Sequence, residues 1–263
     1  MSLARAHASL PPLTARERAK RASTSARASS STRNSPDLVR DELSRCFDLV
    51  ERLGRGAVYI GSARVPESHP HYALARALAR DMAIELNCTT WSGAGAGMMD
   101  AAIRGGEDAG KPVGGIMISL EAGGARTTPS RVHPYLPASS YLCARFFSAR
   151  KHGLVDAGTR VSASDRTAFI VLPGGVGTLD EMFEILALRQ LKRVGVHLPA
   201  PLVVMNYDGC YDGLLEFLRR DMVDYGALAP DELTPHMTVC ATNAEAIHHV
   251  REFYAADARA RAA

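Results

Sequence analysis

The chain has 263 residues, of which 46% are hydrophobic and 22% charged, and these values are close to the average for soluble globular proteins. This composition excludes a wholly disordered, fibrous or collagen-like protein, and the length predicts one α/β domain with an appendage. The net charge of +3 is unevenly distributed, since residues 1–34 carry seven basic side chains and one acidic side chain. The remainder of the chain has 24 basic and 27 acidic side chains, and this mildly acidic charge is not typical of a nucleic-acid-binding domain.

Residues 1–34 are rich in Ala, Arg and Ser and show no sustained hydrophobic period. Such a segment cannot bury enough apolar surface to offset its ordering entropy, so we predict that it is disordered. Its basic, serine-rich and acid-poor composition is typical of an organelle transit peptide, and a disordered extension of a bacterial protein is the alternative. A transit peptide would direct the protein to a plastid or another organelle; otherwise we expect a cytoplasmic protein.

From residue 35 onward, segments with helical and strand periodicity alternate along the chain. We predict helices at 37–53, 72–86, 98–110, 145–157, 178–191, 211–225 and 243–254, and strands at 57–60, 88–91, 113–118, up to 141, 168–172, 202–205 and 237–240. This alternation predicts a single α/β domain over 35–258, with a parallel sheet covered by helices on both faces and a short tail at 259–263. Ligands of such sheets bind at the carboxyl ends of strands.

A nine-residue motif at 173–181 reads Pro-Gly-Gly-Val-Gly-Thr-Leu-Asp-Glu and lies between a buried strand and a helix. Glycines let backbone N–H groups approach a ligand, and a helix N-terminus adds unpaired donors and a partial positive charge. These features predict an anion site, most naturally for a phosphate. Thr178 can add a hydroxyl contact and cap the helix, while Glu181 and Glu184 follow on successive turns. A structural turn with a Thr178–Glu181 capping box is the alternative.

A second glycine-rich turn, residues 92–97, also follows a strand and opens a helix. It resembles a dinucleotide-binding fingerprint, but the acidic residue that an NAD site requires about 20 residues further on is missing. We therefore interpret this turn, which contains Gly95, as a wall of the pocket for the same ligand. A purely structural turn is the alternative.

Two further motifs are less specific. In a helix over 145–152, Arg150 would share a face with Phe146, and Lys151 a face with Phe147. The phenylalanines indicate a half-buried helix and favour a functional guanidinium, although adjacent Arg and Lys residues are also common on solvated faces. The turn at 61–64, Gly-Ser-Ala-Arg, is explained equally well as a plain β–α connection.

Several other classes of site are excluded. The five cysteines are widely spaced and form no CxxC pair, so we predict free thiols in a reducing compartment, and the nine histidines suggest no metal site. The sequence has neither the GxSxG motif of serine hydrolases nor a P-loop motif. No run reaches the roughly 18 apolar residues of a membrane-spanning helix, so we expect no membrane partner. The mildly acidic charge after residue 34 argues against nucleic acid as a partner.

Together these residues resemble the LOG family, the cytokinin riboside 5′-monophosphate phosphoribohydrolases, many of which have been labelled lysine decarboxylases. The resemblance covers residues 55–254 and rests on PGGxGTxxE at 173–181, on the upstream Arg150-Lys151 and on the turn at 92–97. It implies a Rossmann-like, doubly wound three-layer fold and a homodimer with sites near its interface. It also implies cofactor-free hydrolysis of an adenine-type nucleoside 5′-monophosphate to a free base and ribose 5-phosphate.

By position, the resemblance makes Arg150 and Glu181 the catalytic pair and Lys151 a substrate contact. It assigns the phosphate to Gly174, Gly175, Gly177 and Thr178. Further candidates for substrate binding are Glu184, Gly95 and Glu121, the last as a ribose or base contact. Departures from the family pattern at 93–97, 132–137 and 158–166 leave the preferred base open between adenine and an N6-prenylated adenine.

The proposed chemistry suits these residues. Cleavage of a ribosyl C–N bond develops positive charge on the sugar, which the Glu181 carboxylate can stabilise while it orients or deprotonates water. Arg150 is a poor acid at neutral pH, so we assign it positioning and electrostatic roles.

Two other functions are alternatives. A non-catalytic carrier of a nucleotide or of the molybdenum cofactor would use the same glycine loop, but it would not need both Arg150 and Glu181. A lysine decarboxylase would need a Schiff-base lysine for pyridoxal phosphate. The lysines after residue 34 are Lys111, Lys151 and Lys192, and none has a suitable setting.

Overall fold

The computed structural model of the protein describes residues 35–118 and 134–262. The chain divides into two compact units, residues 1–41 and 42–263. Of the first unit, only 35–41 are described, and they are helical. Residues 1–34, which the sequence predicts to be disordered, and the candidate Glu121 lie outside the described residues.

Seven strands in the described part of the chain form one parallel sheet, in the order β4-β3-β2-β1-β5-β6-β7. The strands are β1 (Gly56–Ile60), β2 (Thr89–Ser92), β3 (Val113–Ile118), β4 (Tyr141–Ala144), β5 (Ala168–Val171), β6 (Leu202–Met205) and β7 (Thr238–Cys240). The predicted parallel sheet of a doubly wound α/β fold is thus confirmed. Successive strands β2 to β4 are added on one side of β1 and β5 to β7 on the other, so the strand order reverses between β1 and β5. These two parallel strands pair in register from Ala57 with Ala168 to Ile60 with Val171.

The helices occur at nearly all predicted places. They are α1 (Ser35–Leu53), α2 (Pro70–Leu86), α3 (Met98–Asp108), α4 (Phe147–Gly158), α5 (Val176–Gln190), α6 (Asp212–Glu216), α7 (Met222–Asp224) and α8 (Asn243–Ala262), with a 3-10 turn at Tyr207–Gly209 and a π-helical turn at Phe217–Asp221. The predicted helix 211–225 is therefore interrupted by the π-helical turn. None of the helices described is long and apolar enough to cross a membrane.

The last helix continues beyond its predicted end, through most of the segment predicted as a tail. Its apolar period ends at Tyr254, but Asp257 bonds to Arg261 one turn further along at 3.1 Å. Asp257 also accepts a 2.9 Å bond from Arg160, whose side chain is fully buried. Charged pairs and alanines with high helix propensity therefore carry the helix past the end of the apolar pattern.

Two apolar layers hold the sheet between helices, because alternate residues of each strand face opposite sides. In β1, Ala57 and Tyr59 face a cluster with α2, α3 and α8, whereas Val58 and Ile60 face a cluster with α4, α5 and α6. Residues of α1 from Cys46 onward join the second cluster. This packing fixes the carboxyl ends of β1 and β5 side by side, which is where open α/β sheets bind ligands.

Candidate active site

A buried ion pair lies beside the carboxyl ends of β1 and β5. Arg150, on α4, donates a hydrogen bond of 2.6 Å from Nη1 to Oε1 of Glu181, on α5. The two side chains are 8% and 9% exposed. Arg150 also donates from Nε to the carbonyl of Ile116 at 3.1 Å, which fixes the plane of its guanidinium. The predicted catalytic residues are therefore brought together, with one carboxylate oxygen left for another partner.

The environment makes the Glu181 carboxyl group a stronger base than an ordinary glutamate. Burial raises its pKa, the Arg150 charge lowers it in part, and the neighbouring Asp180 raises it again. The net change is a rise above the usual value. A buried carboxylate with a raised pKa, held by a guanidinium, is suited to accept a proton near neutral pH.

The glycine motif forms the N-terminus of α5. The helix begins at Val176, and Gly175 is its N-cap residue, without a side-chain cap bond. Thr178 therefore does not cap the helix, and the capping box predicted as an alternative is absent because Glu181 bonds to Arg150 instead. Gly174 packs against Thr178, where an added Cβ would lie 2.1 Å from Oγ1. The helix N-terminus is thus open to an anion.

Lys151 and Glu184 bond to each other and do not line the site cavity. The Lys151 ammonium lies 2.9 Å from Asp180 Oδ2 and 3.3 Å from Glu184 Oε2. Burial lowers the pKa of Lys151, but these two hydrogen bonds outweigh it and raise the pKa overall. In this structure their charges join α4 to α5, and the substrate contacts expected of both residues stay predictions.

The ion pair and the glycine motif open into one cavity of about 350 Å³. Its lining residues are Gly61, Ser62, Ala63, Arg64, Met99, Phe147, Arg150, Gly175, Val176, Gly177, Thr178 and Glu181. An apolar cavity of about 420 Å³ near β7 contains neither the ion pair nor a glycine motif, so we do not assign the site there. The sequence pattern leaves the turn at 61–64 open between a site element and a plain connection, and it gives Met99 and Phe147 no role in ligand binding.

The second glycine-rich turn, residues 92–97, lies against the Arg150 side chain that lines this cavity. A Cβ at Gly93 would lie 2.2 Å from Nη2 of Arg150, so the absence of a side chain there makes room for the guanidinium. Gly95 lines an adjoining cavity of about 480 Å³, which shares Ala63 and Arg64 with the first. The turn thus borders the cavity through Gly93, which lies against Arg150, and the predicted ligand contact of Gly95 stays a prediction.

The described residues contain neither a disulfide nor a cluster of metal-binding side chains. All five cysteines are free thiols. Among residues 35–118 and 134–262, no group of three or more His, Cys, Asp or Glu side chains is placed to hold a metal ion.

The family model described as "Possible lysine decarboxylase" matches residues 99–250, more than half of the chain. A probable cytokinin riboside 5′-monophosphate phosphoribohydrolase of Oryza sativa subsp. japonica is 40% identical over 87 residues, 33% of this chain and 35% of that protein. A cytokinin riboside 5′-monophosphate phosphoribohydrolase of Arabidopsis thaliana is 41% identical over 86 residues, with the same coverage. The chain thus aligns with about a third of the length of these curated relatives.

A solved structure with a similar fold is the molybdenum cofactor carrier protein of Chlamydomonas reinhardtii. It is 18% identical, with a TM-score of 0.47 and coverage of 77% of this chain and 99% of that one. So distant a similarity does not bear on function. The family match, the related sequences and the residues at 173–181 agree with one another. The chain belongs to the LOG family, whose family model carries the description "Possible lysine decarboxylase".

Proposed function

We propose that this protein hydrolyses the N-glycosidic bond of adenosine 5′-monophosphate or its N6-substituted derivatives, releasing the free base and ribose 5-phosphate. The observation that carries the proposal is the buried Arg150–Glu181 pair, 2.6 Å apart, in the same cavity as the open N-terminus of α5. The similarity to phosphoribohydrolases of rice and Arabidopsis supports it.

The α5 N-terminus binds the 5′-phosphate of the substrate. Gly175 and Gly177 present backbone without side chains, and the buried Thr178 hydroxyl is a further donor. Unpaired N–H groups and the helix dipole favour an anion at this place. A phosphate bound here leaves the ribose beside Glu181, one turn further along the same helix.

Glu181 performs the chemical step. As the bond between C1′ and the base nitrogen breaks, the carboxylate stabilises the positive charge on the sugar and accepts a proton from water. The water oxygen bonds to C1′, and the departing nitrogen receives a proton from solvent. Arg150 remains protonated, holds the carboxylate in place and orients the substrate.

Lysine decarboxylation does not fit this site. A Schiff base to pyridoxal phosphate needs a lysine in the cavity. Lys111, Lys151 and Lys192 are described, and none lines it. Lys111 bonds to Asn87 on the surface, and the Lys151 ammonium is held by two carboxylates.

We also propose that the protein is a homodimer, as the family resemblance implies. Val176 is 86% exposed and Phe147 is 41% exposed, and both lie at the cavity. Apolar side chains exposed at a site are typical of a surface that a partner covers.

The function is tested with the purified full chain and two substrates, AMP and isopentenyladenosine 5′-monophosphate. We expect release of free base and equimolar ribose 5-phosphate, and the relative kcat/KM values rank the two bases. Release of neither product by the folded protein would overturn the proposal and favour a nucleotide or cofactor carrier.

Replacement of Gly93 by alanine is expected to lower kcat/KM roughly 10- to 100-fold, because the new Cβ displaces the Arg150 guanidinium. Gly213→Ala is a matched control, since a Cβ there meets nothing within 4 Å. Steady-state kinetics on AMP compare the two variants. Wild-type kinetics in Gly93→Ala would show that the guanidinium position does not matter for catalysis.

A further inference from the structure

The turn at 61–64 is held rigidly between the two glycine motifs. The Ser62 amide donates to the carbonyl of Pro173 at 3.1 Å, and the Ser62 carbonyl accepts from the amide of Met98 at 2.8 Å. Within the turn, the Arg64 amide donates to Ser62 Oγ at 3.1 Å. The first two bonds connect the turn to the loop before α5 and to the start of α3, and the third holds the turn itself. The backbone of Arg64 is therefore fixed relative to the glycine motif that follows β5.

Arg64 provides the net charge of the part of the cavity lining that the structure describes. The charged residues in that part are Arg64, Arg150 and Glu181, and the last two neutralise each other. The Arg64 guanidinium forms no ion pair or side-chain hydrogen bond with the described residues. The nearby Glu67 carboxylate lies instead 4.0 Å from Arg104. Among the described lining residues, one positive charge is thus uncompensated, and it belongs to the turn that lines the same cavity as the N-terminus of α5.

A phosphate ester needs that charge. It carries about −1.5 to −2 at neutral pH, whereas a helix N-terminus supplies roughly half a positive charge. Arg150 is engaged by Glu181, and Lys151 is engaged by Asp180 and Glu184. We propose that Arg64 is the specificity residue for the 5′-phosphate: its guanidinium binds the phosphate held at the α5 N-terminus and selects phosphorylated over unphosphorylated ribosides. The proposal rests on the proposed function.

The test compares the full chain with Arg64→Ala and Arg64→Lys, and uses Arg259→Ala, an exposed arginine of α8, as the matched control. In Arg64→Ala we expect KM for AMP to rise about 10- to 100-fold, while kcat at saturation stays within about threefold. Calorimetry should show the same loss of affinity for ribose 5-phosphate. Arg64→Lys should recover part of both affinities, because it keeps the charge but not the bidentate geometry.

Other results would overturn the proposal. One is an unchanged affinity of Arg64→Ala for ribose 5-phosphate. The other is a fall in kcat for AMP with KM unchanged, which would mean that Arg64 supports the turn or the reaction itself. Failure of the proposed function has a different signature: the wild-type chain binds ribose 5-phosphate but does not cleave AMP. Arg64 is then still judged by the binding data. A folded wild-type chain that does not bind ribose 5-phosphate would overturn both proposals.

Discussion

Replacement of Glu181 by glutamine is expected to lower kcat for base release from AMP by at least about 10²-fold, with the protein still folded. Glutamine keeps the shape of the side chain and an oxygen that can accept the hydrogen bond from Arg150 Nη1, which is 2.6 Å long in the native chain. It cannot accept a proton from water, and it has no charge to stabilise the ribosyl cation. The binding of AMP should change far less than the rate. Stopped assays of free base, with Kd measured separately, distinguish the two effects.

The pH dependence of kcat gives a second readout on Glu181. The base must be ionised to act, so activity is lost as pH falls through the folded-state pKa of its carboxyl group. Burial raises that pKa above the ordinary value of 4.5. The acidic limb of the wild-type profile should therefore lie above pH 4.5, and the residual activity of Glu181→Gln should lack it.

Glu252→Gln, which alters an exposed glutamate of α8, is the matched control and should behave as wild type in both assays. Glu181→Asp keeps the charge but shortens the reach, so it should retain the acidic limb at reduced kcat. Wild-type kcat in Glu181→Gln would remove Glu181 from the chemistry and leave the proposed mechanism without its base.

Replacement of Arg150 by methionine is expected to destabilise the fold by about 3–5 kcal/mol, the usual cost of leaving a buried charge unpaired. The remaining carboxylate of Glu181 is only 9% exposed and would lose its bond to Nη1. The carbonyl of Ile116 would also lose its donor. Base release should be lost together with stability. Urea denaturation at neutral pH, followed by circular dichroism, measures the change in the free energy of unfolding.

The double variant Arg150→Met with Glu181→Gln should recover part of that loss, because no unpaired charge remains in the core. Arg76→Ala is a matched control at an ion pair with Asp108 whose side chains are 43% and 37% exposed. It should cost less than about 1 kcal/mol, since solvent screens such a pair. Strictly additive effects of the two core substitutions would contradict an energetic coupling between Arg150 and Glu181.

Much of the fold and part of the site follow from local patterns. The alternating periods predict six of the seven strands, whereas β4 begins at Tyr141, where the pattern predicted that a strand would end. The motif at 173–181 predicts the helix N-terminus that lines the cavity. The same patterns mislead where neighbouring residues point in different directions. Arg150 and Lys151 are adjacent, but helical geometry turns them by 100°, so one faces the cavity and the other faces Asp180. Sequence alone could not show which of the two would face inward.

The sequence by itself determined the class of fold and the glycine motif at a helix N-terminus, because periodicity, glycines and helix ends act over a few residues. The candidate catalytic residues came from the resemblance to the LOG family. Only the tertiary structure decided that Arg150 bonds to Glu181, that Gly93 makes room for this pair, and that Lys151 pairs with Asp180 and Glu184. It also placed Arg64 opposite α5, since β1 pairs with β5 across more than a hundred residues of chain. Strand order and helix packing depend on burying both faces of the sheet at once, and no short segment contains that information.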